Sequence, residues 1–69
     1  MPLTMANPGE CYTIRKVGGK EETRKFLESL GFTVGGTVTV VSDVQGSVIV
    51  NVRDSRVAVG KDIAMKVMV

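Results

Sequence analysis

The sequence contains no histidine, no tryptophan and a single cysteine among its 69 residues. Without histidine the chain loses the commonest transition-metal ligand and the usual near-neutral base. One cysteine, Cys11, excludes a disulfide within the chain. A lone reduced thiol fits a cytoplasmic compartment, and Cys11 is read as a half-buried strand residue. One tyrosine and two phenylalanines leave little material for stacking nucleic-acid bases. Nine basic against seven acidic side chains give a net charge of +2, too mild for a dedicated nucleic-acid footprint. No apolar run approaches a membrane span, and no signal-peptide pattern opens the chain. The length allows one domain, residues 1–69, with a thin core and neither a disulfide nor a metal staple.

The usual catalytic constellations are missing as well. Gly18-Gly19-Lys20 and Gly35-Gly36-Thr37 lack the spacing of a phosphate-binding loop and are read as turns. The acidic residues are scattered among a helix face and turns, so no carboxylate pair converges for acid–base work. Four serines are present, but the usual triad needs a histidine. The chain is therefore read as a non-enzyme, with no catalytic, cofactor-binding or metal residues assigned. Asp43, Asp54 and Asp62 supply oxygen ligands for at most a weak ion, held between molecules.

What is present is a valine-rich apolar fraction of 43 % cut into short segments by glycine. Cys11 to Val17 alternates as a first strand and ends at Gly18-Gly19. Lys20 to Leu30 is predicted to be a helix. Glu21 and Glu22 sit in its first turn, where the helix dipole favours anions. Glu21 with Lys25 and Arg24 with Glu28 are spaced to pair on the wet face. Phe26, Leu27 and Leu30 form a narrow apolar stripe, of which Phe26 and Leu30 are expected to dock the helix. Gly31 stands where a left-handed cap belongs, with Phe32 positioned to fold back on the last turn. Strands follow at Thr37–Ser42, Ser47–Arg53 and Arg56–Val59, joined by short hairpin turns. In the third, Val48, Val50 and Val52 share one face by strict alternation. Lys61 to Met65 reads as one helical turn, and Lys66 to Val69 as a closing strand. The pattern predicts a mainly β fold, a small Src-homology-3-like (SH3-like) barrel of about five strands. A helix is inserted between strands 1 and 2, and a short helical turn precedes the last strand. Val38, Val40, Val50 and Ile14 are the expected core.

These segments, in this order, resemble the ferrous iron transport A (FeoA) family over nearly the whole chain. The resemblance rests on Pro8-Gly9-Glu10, Ile14-Arg15-Lys16-Val17-Gly18-Gly19, Phe26-Leu27-Glu28-Ser29-Leu30-Gly31-Phe32 and Gly35 to Val40. It continues through Arg56-Val57-Ala58-Val59-Gly60-Lys61-Asp62-Ile63-Ala64 and ends in Met65-Lys66-Val67-Met68-Val69. Val34 departs from the pattern, standing where the family commonly has proline, and the hairpin loop at Gln45-Gly46 is short. The resemblance implies a small cytoplasmic SH3-like protein of bacterial iron homeostasis. Such a protein serves the ferrous iron transporter by protein contact, its partner being the cytoplasmic GTP-binding domain of the membrane subunit FeoB.

Two rival readings stand beside this one. A similar domain serves as an interaction module in iron-dependent transcriptional repressors. A translation-type barrel would bind RNA through Arg15, Lys16, Arg53 and Arg56, against which the weak charge and scarce aromatics weigh. The partner surface is expected along the helix and the turn after it. Arg24, Lys25 and Glu28 form its polar rim, and Leu27, Phe32 and Val34 are partly exposed apolar anchors. Those three alternatively complete the core or pack a homodimer, in which case the Met65 and Met68 edge is the next candidate.

Overall fold

A computed structural model describes residues 1–69. In chain order the elements are β1 (Cys11–Thr13), β2 (Lys16–Val17), α1 (Glu21–Leu30), β3 (Thr37–Val44), β4 (Ser47–Val52), β5 (Ser55–Gly60), α2 (Lys61–Ala64) and β6 (Val67–Met68). All the pairings are antiparallel. They form a four-stranded sheet in the order β1-β3-β4-β5 and a separate two-stranded ribbon of β2 and β6.

The expected first strand is thus two strands serving two sheets. Ile14 is the junction. Its N–H donates to Gly36 O and its carbonyl accepts from Gly35 N–H, both at 2.8 Å, while the Arg15 N–H donates to Met68 O. The chain leaves β3 and joins β6 within two residues, and Ile14 drops into the core at the corner. The expected barrel does not close through hydrogen bonds, because β5 has no neighbour on its outer side.

The core follows the valine alternation. Val38 and Val40 of β3, Val48, Val50 and Val52 of β4, and Val59 of β5 are all buried, as period-two side-chain geometry requires. A register shift between Val40 and Ser42 bends β3 beyond the last buried pair. Leu3, Ile14, Leu27, Phe32, Ala64 and Val67 complete the cluster. Cys11, expected to be half-buried, is exposed: alternation in β1 turns Tyr12 toward the core and Cys11 and Thr13 away.

The two chain ends meet. The Met1 ammonium donates to Val69 O, and the Val69 N–H donates to Met1 O, each at 2.8 Å. Pro2 bridges Met68, and a single helical turn at Leu3–Met5 pushes Leu3 into the core.

Helix α1 is flanked by Lys20, which is extended, and by Gly31, whose φ of 108° is left-handed. The Gly31 N–H donates to Glu28 O and the Phe32 N–H to Leu27 O, at 2.9 and 3.0 Å. These two bonds make a Schellman motif, in which the residue after the glycine packs on the residue four before it. Here those residues are Phe32 and Leu27, and both are fully buried. Leu27, rather than Phe26, is therefore the helix anchor. Leu30 is partly buried against the core, and Phe26 is 49 % exposed. The Glu21–Lys25 pair forms at 3.3 Å; the Arg24–Glu28 pair does not.

Leu27→Ala is expected to cost about 2–5 kcal/mol, as buried leucine truncations do. Leu30→Ala should cost less, because that side chain keeps partial contact with water. Urea denaturation of both variants checks the order; equal losses would show that α1 docks differently. Gly31→Val is expected to lose about 1–3 kcal/mol, since a β-branched residue is strained at positive φ. A Cβ at Gly31 would also lie 3.0 Å from Arg53 Cδ. A Gly31→Val protein with the parent's denaturation midpoint would contradict this.

Candidate functional site

No three side chains among histidine, cysteine, aspartate and glutamate come together as a metal-holding group. The polar hollow on the outer sheet face is lined by Thr37, Thr39, Asn51, Arg53 and Asp54, with Asp54 as its sole carboxylate. The expected contact surface lies elsewhere.

Helix α1 positions most of it. At 100° per residue, with Leu27 pointing at the core, Arg24 and Glu28 fall on one flank and Phe26 on the other. Lys25 projects outward between them. Arg24, Lys25 and Glu28 are all exposed, as expected of a rim, and Val34 is 68 % exposed in the turn after the helix. Leu27 and Phe32 are 0 % exposed and cannot anchor a partner. Their burial corrects the expected surface, and the cause is the Schellman contact that holds each against the other. Four of the six expected residues are thus exposed and two are buried in the core.

Phe26 takes the place of the withdrawn pair. It lies with Glu22, Thr23 and Ile63 in a shallow groove between α1 and α2. Ile63 is only partly buried, so the groove floor is apolar and open to solvent. A neighbouring concavity, lined by Lys16, Gly18, Gly19, Met65, Lys66 and Met68, lies where the β2–α1 turn meets the α2–β6 segment. Gly19 links the two regions, since a side chain there would meet Thr23 at 3.4 Å and Lys66 at 3.7 Å. Together they form a surface with apolar points at Phe26, Ile63 and Met65 and charge at Glu22, Lys16 and Lys66. The signal for Phe26 was present in the sequence: a glycine cap at position 31 commits Leu27 to Phe32, which rotates Phe26 off the core.

The family model for the FeoA domain matches residues 1–69. A protein of Methanocaldococcus jannaschii named "Putative Fe(2+) transport protein A" is 32 % identical over 68 residues, covering 99 % of this chain and 83 % of that protein. Among solved structures, an iron uptake regulatory protein (FeoA) superposes with a TM-score of 0.90 at 35 % identity, covering 99 % of this chain and 92 % of that one. The Stenotrophomonas maltophilia FeoA complexed with zinc, an SH3 domain protein, superposes with a TM-score of 0.85 at 22 % identity, covering 99 % and 87 %. The last likeness shows that the bent sheet and ribbon share an SH3-type fold. With a family match along its entire length and a relative above 30 % identity over nearly all of it, the chain belongs to the FeoA family.

Proposed function

We propose that this chain is an accessory protein of ferrous iron transport that acts by binding. Its partner is the cytoplasmic part of the membrane subunit FeoB. The family match over residues 1–69 carries this reading. The name of the M. jannaschii relative supports the transport assignment. A half-exposed aromatic beside an open apolar groove supports contact as the mode of action. No helix is long and apolar enough to cross a membrane.

The contact is placed along α1 and the turn after it. Phe26 and Ile63 form the apolar centre, with Glu22 and Lys25 as its charged border; Val34 is a second apolar point, and Arg24 and Glu28 line the other flank of α1. An aromatic anchor inside a charged border is how specific interfaces commonly divide their work. Phe26→Glu and Val34→Glu should both stay folded, because both side chains already face water. Phe26→Glu is expected to weaken binding to the transporter's cytoplasmic domain by about tenfold or more, the loss of about 1.4 kcal/mol. Calorimetry with and without guanine nucleotide measures this. Unchanged affinity in both variants would move the contact elsewhere, first to the Met65 and Met68 edge.

Iron, in this reading, is the cargo of the partner. The monomer offers neither a histidine nor a converging carboxylate set, and the Asp43 carboxylate already pairs with Lys61 at 3.0 Å. Titration of the monomer with Fe²⁺ or Zn²⁺ is expected to show no submicromolar site. Stoichiometric, tight uptake would contradict it.

A further inference from the structure

Strand β5 is the outermost strand of the four-stranded sheet, and its far side pairs with nothing. The two-residue turn Arg53-Asp54, with φ of 50° and 62°, joins it to β4. In such a hairpin the flanking pair, here Val52 and Ser55, exchanges main-chain bonds, and the ladder alternates from there. Val57 and Val59 therefore aim their N–H and C=O groups at β4. Arg56, Ala58 and Gly60 aim theirs outward. None of the turn, loop and cap bonds uses the N–H of these three residues, or the carbonyl of Arg56 or Ala58. The usual protections of an edge are also missing: β5 carries no proline, its register with β4 is unbroken, and its one charge is Arg56.

We propose that this edge joins β5 of a second copy of the chain, antiparallel and two-fold symmetric about Ala58. Ala58 of each copy then faces Ala58 of the other and exchanges both main-chain bonds with it. The Gly60 N–H of each donates to the Arg56 carbonyl of the other. The register brings Arg56 of one copy opposite Gly60 of its mate, with side-chain positions about 5 Å apart on the same face. Gly60 has no side chain, but the Asp62 carboxylate fills its place: Asp62 Oδ1 lies 2.8 Å from where a Cβ on Gly60 would stand. Asp62 takes part in neither ion pair of the chain. Arg56 is held only by a long 3.4 Å bond from Nε to Asn51 Oδ1. Each copy therefore presents an unpaired cation where the other presents an unpaired anion, twice across the axis. A two-fold centred on Arg56 would set like charges against each other, which selects the Ala58 register. The product is one continuous eight-stranded sheet, with the open edge of each copy covered by the other.

Sedimentation velocity over concentrations up to about 1 mM reads the outcome directly. The parent is expected to show a concentration-dependent monomer–dimer equilibrium. Ala58→Pro removes a donor that no intrachain bond uses, a substitution that edge strands tolerate, and should leave a folded monomer. Arg56→Asp should weaken the dimer about tenfold or more, and Arg56→Asp combined with Asp62→Arg should restore it. If Ala58→Pro fails to fold, the charge-swap series decides alone. A parent that stays monomeric throughout, a dimer indifferent to folded Ala58→Pro, or a double variant no better than Arg56→Asp would each overturn the proposal.

Discussion

The docking of the one substantial helix depends on a single backbone conformation, the left-handed turn at Gly31. Only there can the chain end α1, satisfy the last carbonyls with the N–H groups of Gly31 and Phe32, and send Phe32 back over Leu27. The turn joins Leu27 and Phe32, and both are fully buried. It also leaves room for Arg53, whose Cγ and Cδ lie where a side chain at position 31 would stand. The helix terminus, the β4–β5 turn and the centre of the core therefore meet at a residue with no side chain.

The sheet was largely legible in the sequence, and the helix only partly. Strand faces have a period of two, so Val38, Val40, Val48, Val50 and Val52 declare their side without reference to anything distant. A helix stripe of three residues is ambiguous by about one position, and the tie was broken by a tertiary contact. Phe26, Leu27 and Leu30 span an arc wide enough for either flank to face inward; Phe32 chose Leu27. The same contact explains the half-legible surface. Arg24, Lys25 and Glu28 are exposed because charge needs water whichever way the helix turns. Composition does not separate Leu27 and Phe32 from surface anchors; the glycine cap at position 31, which sets the bond pattern between them, does.

Closure was the other quantity the sequence did not disclose. Cys11 to Val17 alternates as one strand, and nothing local marks Ile14 as a corner. The bend is made by partners far away in sequence, Gly36 on one side and Met68 on the other. The same distribution of partners places β2 and β6 in their own ribbon and leaves β5 at the rim of the larger sheet. A barrel, a half-open sandwich and a sheet with a side ribbon share one hydrophobic pattern; the long-range pairings distinguish them.

The meeting of Met1 with Val69 makes the polypeptide almost a ring. Its backbone could be joined there by a short linker and reopened at the exposed Gln45-Gly46 turn with little change to the packed interior. Mechanically, a pull applied at the two ends would first part Met1 from Val69 and Pro2 from Met68, then strip β6 from β2 and draw Leu3 out of the core, before the four-stranded sheet carries any load. Anything fused to either end would emerge from the same spot, so the domain can be suspended from a single point with the rest of its surface free.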